Sequence, residues 1–304
     1  MSLKEKTMIV QLNTSHWTAR KYDAKVSKEV DESHSAEKSG RFNKTLIISN
    51  LLDDVQKCVS KARTHHYKVT MPWDDAGQRL LPVGEYFEYT KKMEEFQIEH
   101  KALVNTFLKE YPSLLQHAKD RLNTLFNEGD YPDPQSIAHK FNISYKITPV
   151  ADSGDLRIEL SKDEVKEIKR NIEAGLSEKI NNAKNSIIER AEAAVEAMYV
   201  KLDDKTATFR DSLVGNVVSL MELLPSMNFD NDEQFDVLQK KLSKLDVSPA
   251  KLRKDMELRA KTAKKAKKTL KKIKSMRYGD VEPEVIPVKV KKEKKRKKTK
   301  RIRK

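Results

Sequence analysis

The residues best suited to chemistry in this chain are cations gathered at one end. Of residues 288–304, twelve are basic (Lys289, Lys291, Lys292, Lys294, Lys295, Arg296, Lys297, Lys298, Lys300, Arg301, Arg303 and Lys304) and one, Glu293, is acidic. Such a polycation displaces the counterions condensed on a phosphodiester backbone, with a gain in entropy. Flexible ammonium groups reach phosphates but lack the rigid fork that reads a base edge, so the expected partner is DNA or RNA without sequence preference. Lys264, Lys265, Lys267, Lys268, Lys271 and Lys272 repeat this chemistry on a stretch of helical period. Plainer readings are a solvated tail or, in a eukaryotic host, a localisation signal. The helical set alone also suits an anionic membrane or a partner helix. Its apolar seam is rich in Ala and lacks Trp and Phe, which argues against the membrane.

No catalytic or metal-binding pattern accompanies the lysines. Cys58, the single cysteine, falls on the apolar stripe of a helical run and reads as a small buried hydrophobe, not a nucleophile or redox sensor. One cysteine allows no internal disulfide and no thiolate cluster, which fits a reducing compartment. His65, His66 and His100 have no partner at metal-ligand spacing, and neither H-E-x-x-H nor a G-x-x-x-x-G-K loop occurs. Asp74 and Asp75 with Asp152 and Asp155 would hold a divalent ion only if two loops met; aspartates at such positions usually shape turns. The expectation is a protein that is not an enzyme, with no catalytic, cofactor-binding or metal residues to name.

Charge is segregated along the chain. Residues 250–304 hold 25 of the 61 Lys and Arg but 6 of the 46 Asp and Glu, a balance of +19 against −4 for the other 249 residues. A mildly acidic body carrying a cationic arm reads as something that attaches to a polyanion. The length suits about two domains, and sparse Gly and Pro favour helix. The stretch MSLKEKTMIVQLNTSHW lacks the apolar core of a signal peptide. No run approaches the roughly 18 apolar residues of a membrane span, so the expected location is the cytoplasm.

The elements that must position these residues follow from hydrophobic period. Met8, Val10 and Leu12 alternate as a strand, and Ala19, Tyr22, Val26 and Val30 predict a helix after it. Beyond a polar loop from Ser33 to Gly40, Ile47, Leu51, Val55, Cys58, Ala62 and His66 make a helical stripe that must stop before Pro72. MPWDDAGQRLLP reads as a connection between helices, with Trp73 packed between the two it joins and Arg79 paired to an acid. Tyr89, Met93, Phe96, His100, Leu103 and Phe107 form a heptad-like seam. Pro112 should kink or restart that helix, and GDYPDP should stop it. Ile143, Tyr145 and Ile147, then Leu156, Ile158 and Leu160, alternate as two strands joined by a turn, forming a small antiparallel sheet with the first strand.

Ser161 and Glu164 form a capping box that opens the longest helical segment. Val165, Leu176, Ile187, Met198, Phe209 and Leu220 recur every eleven residues, and Ile180, Ala191, Leu202, Leu213 and Leu224 keep the same spacing. This repeat makes an almost straight stripe; unbroken, the rod would be about 95 Å long. Asp203-Asp204 is where a bend is expected. A short helix capped by Asn231 or Asp232 should reach Leu245. Ser248-Pro249 should start the last helix, with a seam of Leu252, Met256, Ala263, Ala266, Leu270 and Ile273 running on until Gly279 and Pro283 end it. The fold class expected is α+β, α-dominated: an α+β body at 1–160, a long helical or coiled-coil stalk at 161–247 able to mediate homo-oligomers, a basic amphipathic helix at 248–278 and a lysine-rich tail at 279–304, disordered until bound.

Three stretches, SHWTARKYD, ARTHHYKVTMPWDDAGQRLLP and YKITPVADSGDLRIEL, resemble a domain-of-unknown-function family encoded by tailed bacteriophages, prophages and bacterial mobile elements. The resemblance spans roughly residues 8–225, and its most specific part is Pro72-Trp73 with Arg79-Leu80-Leu81-Pro82. It implies no activity and no catalytic residue. Genes of that family stand beside a MoxR-type AAA+ ATPase and a protein with a cobaltochelatase-like metal-ion-adhesion domain, which implies an assembly partner. The lysine tail lies outside the shared pattern. The leading expectation is a non-enzymatic, phage-type nucleic-acid-associated protein, and the alternative is an adaptor or recognition subunit of a MoxR-type AAA+ assembly.

Overall fold

The computed structural model describes residues 3–151, 154 and 161–278. A one-turn helix α1 (Leu3–Lys6) runs into β1 (Thr7–Ser15); β2 (Arg20–Tyr22) and β3 (Asn43–Thr45) flank α2 (Ala24–Ser33). Then come α3 (Asn50–Val69), β4 (Met71–Pro72), β5 (Gln78–Pro82), α4 (Tyr86–Leu122), α5 (Pro134–Ala138) and β6 (Asn142–Pro149). The rest is helical: α6 (Lys162–Asp203), α7 (Ser212–Met227), α8 (Glu233–Leu242), α9 (Pro249–Lys254) and α10 (Met256–Ile273). The fold is α+β and α-dominated. Among the described residues no helix is long and apolar enough to cross a membrane.

The main sheet is antiparallel with strand order β4-β5-β1-β6, and β2 pairs with β3 as a separate ribbon. β1 is central: Val10 faces Arg79 on one side and Ile147 on the other. Both faces of this strand are covered. Val10 joins Leu81, Ile143, Cys58, Val59, Tyr89 and Met93 beneath α3 and α4. Ile9 joins Leu80, Met71 and Val150 in a core shared with α6, α7, α8 and α10. The simple alternation of Met8, Val10 and Leu12 suggested only the first face. A further cluster of Trp17, Leu46, Val104, Phe107, Tyr111 and Ile137 fills the space between the far half of α4, α5 and the ribbon side.

Several expectations change for local reasons. Ala19–Tyr22 is not helical: Ala19 has φ 50°, and Arg20–Tyr22 pairs with Asn43–Thr45. The helix starts one residue after Asp23, whose carboxylate accepts the Lys25 and Val26 amides at 3.1 and 3.2 Å, as a cap should. MPWDDAGQRLLP is a hairpin of the main sheet. Asp74 Oδ1 closes its turn by accepting the Gln78 amide at 2.9 Å, and Gly77 supplies φ +86°. Trp73 packs in the core shared with α6, under the Lys179 ammonium 5.4 Å from its ring centroid. It does not sit between α3 and α4. Arg79 pairs with no acid among the described residues; it donates to Thr70 and covers the Tyr67 ring. α4 continues through Pro112 as one 37-residue element. The strand expected at Leu156–Leu160 lies outside the described residues.

The capping box is present, with Ser161 Oγ accepting the Glu164 amide. α6 stops at Asp203, where the bend was expected, so its 42 residues reach about 63 Å. The eleven-residue rows continue into α7, which folds back on α6. From Ala183 on, Ile187, Ile188, Ala191, Val195, Met198 and Leu202 are buried against helices of this same chain. Each of these side chains larger than alanine contributes about 1.5–3 kcal/mol by leaving water. Asp232 caps α8. The last helical stretch divides at Asp255, which caps α10 through the Leu258 amide at 2.9 Å. It ends at Ile273, before Gly279, and Met256 is exposed.

Candidate nucleic-acid interface

The lysine face is built on α10, and α10 is held by its opposite side. Thr262, Ala263, Ala266, Thr269, Leu270 and Ile273 recur at steps of three and four and are buried. The alanines and threonines among them bring α10 close along α6 in antiparallel sense, its start beside Leu202 and the segment after its end beside Glu189. Burial of this seam commits most of the apolar side of α10 to contacts within the chain.

Polar clamps fix both ends. The buried Arg259 guanidinium donates to the carbonyls of Leu202 (3.3 Å), Lys201 (2.8 Å), Asp204 (2.5 Å) and Ala207 (2.7 Å). Carbonyls in the last turn of a helix lack intrahelical donors, and a cation there also meets the negative end of the helix dipole. Arg253 pairs with Asp211 and lies 5.1 Å over the Phe209 ring. At the other end Arg277 bridges Glu189 (3.2 Å) and Glu192 (3.1 Å), and Lys274 reaches Glu192 and Glu196 at 3.6 and 3.7 Å. The Tyr278 amide donates to Asn185 Oδ1 at 2.9 Å, and Asn185 returns a bond to the Tyr278 carbonyl at 2.8 Å.

Between the clamps the solvent side is lysine. Lys264, Lys265, Lys267, Lys268, Lys271 and Lys272 are all exposed, and none of them is in an ion pair among the described residues. Lys261, four residues before Lys265, belongs to the same face, although the sequence-derived set leaves it out. Together they cover about half the helix circumference, and Lys261 to Lys272 spans about 16 Å. Lys267 rests against Tyr199, 5.4 Å from its ring centroid. The terminal cations from Lys289 to Lys304 lie outside the described residues.

Other chemistry-bearing groups have structural occupations. Cys58 donates to the Phe96 carbonyl, and burial pushes its thiol up to about 11, far from a reactive thiolate. His66 Nδ1 and the Tyr89 hydroxyl share a hydrogen bond at 2.9 Å. Burial, with Arg79 and His65 nearby, pulls His66 down to about 4, so the ring is neutral at pH 7. No group of three or more His, Cys, Asp or Glu among the described residues is placed to hold a metal ion; Asp152 and Asp155 lie outside those residues. A cluster that nothing in the local sequence signals is Lys184, buried beside Asp230 and Asp232 with the Tyr278 ring 4.7 Å from its ammonium. Burial works against the Lys184 charge, but the two aspartates outweigh it and hold its pKa above the ordinary lysine value. The cluster ties the end of the α10 segment to the loop before α8. Compared with protein-family models, curated proteins and solved structures, the chain matches none.

Proposed function

We propose that this is a non-enzymatic, phage-type nucleic-acid-associated protein of the cytoplasm that grips phosphate backbones through its basic C-terminal arm and uses its body for protein contacts. The observation that supports this reading is the face of α10. Its exposed lysines have no neutralising acid among the described residues, while every cation at the ends of the helix that touches α6 or its following loop is satisfied. Lysines on a clamped helix meet phosphates with little loss of backbone freedom, and the twelve terminal cations add charge in the same direction.

Salt dependence tests the reading. If about 6–8 cations engage, the log–log slope of affinity against salt on duplex DNA is about −5 to −7. Truncation after Tyr278 should flatten it to about −2 to −3, the share of two or three α10 lysines. Glutamine at Lys264, Lys268 and Lys271 in the truncated chain should remove most of what remains, with no change between scrambled sequences. A truncated protein with the full-length slope, or full-length protein that fails to bind at about 50 mM salt, would overturn it. The AAA+ adaptor reading would then be the better one, to be tested by ATPase pull-down.

A further inference from the structure

On the side of α6 away from α10 lies a groove bounded by α3, α6 and α7, with a volume of about 610 Å³. That is the size of a small-molecule site, roughly 300–1,000 Å³. Its walls are mostly apolar, with Ala193, Ala194 and Ala197 from α6 and Leu213, Leu220 and Leu223 from α7, and Thr64, Asn216 and Ser219 add polar groups. One end is strongly cationic. Arg190 donates to the Lys68 carbonyl at 3.1 Å and to the Thr70 carbonyl at 2.6 Å. Arg79 donates to the same Thr70 carbonyl at 3.0 Å and to Thr70 Oγ1 at 2.6 Å. Two guanidinium groups therefore converge on one neutral oxygen, and of these cations Arg190 and Lys68 line the groove. None of the three is in an ion pair with a carboxylate among the described residues. The acids nearest to Arg190 in sequence, Glu189 and Glu192, are turned to the other side of α6 and held by Arg277.

Arg190 and Arg79 are half-buried, and a cation partly withdrawn from water is favoured by an anion beside it, because desolvation without a counter-charge is costly. Burial together with Arg79 pulls Arg190 down to about 10, a direction that a bound anion would reverse. Two of the five guanidinium N–H groups serve the backbone carbonyls, which leaves donors for a ligand. We propose that the groove binds an amphipathic monoanion, its carboxylate at Arg190 and its apolar chain or ring along the α6 and α7 walls. The carboxylate meets a planar donor set suited to it, and the alanines leave room for the chain. This site is distinct from the lysine face, which lies on the opposite side of α6.

Calorimetric titration of the full-length protein with decanoate, kept below its micelle concentration, tests the proposal. The expected result is saturable one-site binding, with decyltrimethylammonium, a cation of the same chain length, weaker by about tenfold or more. Ala197→Phe, at an exposed position in the groove, should abolish decanoate binding while leaving the melting temperature unchanged. It also leaves every cation of α10 and the tail in place, so loss of binding cannot arise there. Arg190→Met should weaken binding by about tenfold or more; if that variant fails to fold, Ala197→Phe alone decides. Absence of saturable decanoate binding, equal binding of the cationic analogue, or parental affinity in folded Ala197→Phe would each overturn the assignment.

Discussion

Replacing Arg259 by methionine tests what sets the lysine helix in place. Arg259 is 5% exposed and donates to four carbonyls at the end of α6 and in the loop after it. Methionine fills much of the volume but donates nothing, so Lys201, Leu202, Asp204 and Ala207 lose their shared donor. Hydrogen bonds to a charged group are worth about 1.5–3 kcal/mol each. Part of this returns as water reaches the loop carbonyls, and part was offset by the cost of burying the guanidinium. The net loss expected is about 3–5 kcal/mol, the range for removing one member of a buried charged network. At about 2–4 °C per kcal/mol for a protein of this size, the melting temperature should fall by about 10 °C. Far-UV circular dichroism during heating measures it, and amide exchange should show α9 and the first turns of α10 opening first. Arg259→Lys should recover less than half, because one ammonium cannot span four divergent carbonyls. A methionine variant melting within about 2 °C of the parent would refute the view that Arg259 anchors α10.

Ile187 and Met198 are both 0% exposed in the core shared with the sheet. Aspartate at both positions forfeits their burial and strands two carboxylates, costing about 6–8 kcal/mol, and should abolish cooperative melting; a parental melt would show the eleven-residue row to be solvated. Acid should destabilise the protein in the window set by its buried histidines. His66 is held near 4 when folded, and His65 and His100 are also lowered, chiefly by burial. The unfolded chain binds those protons more readily, so this contribution is full above about pH 6.5 and is lost as pH falls toward 4, with His66 alone accounting for about 2 kcal/mol at pH 5. Urea midpoints at pH 7.5 and 5.0 should differ accordingly, and His66→Leu should shrink the difference. An unchanged difference would refute the assignment to His66.

What the amino-acid sequence determined by itself is whatever depends on neighbours a few residues apart. The Ser161–Glu164 box, the stop at Asp203, the Asp232 cap and the helical stripe through Cys58 are all legible, because caps and helical period act over one or two turns. The exposed lysines of α10 are legible for the same reason: a seam at steps of three and four leaves the other half of the helix to water. Tertiary structure decided which segments meet. The QRLLP strand has no alternating signal, because the sheet is covered on both faces where it pairs with β1. Ala19–Tyr22 carries helical spacing and is nevertheless claimed by Asn43–Thr45, more than twenty residues away. Arg190 shows the difference most plainly. Read along the chain, it has Glu189 beside it and Glu192 close by, and pairing looks assured. A helix turns by about 100° per residue, so those acids face α10 while the guanidinium faces α3. Counter-charge is a property of distance in space, and the fold left this cation, together with Arg79, without a carboxylate among the described residues.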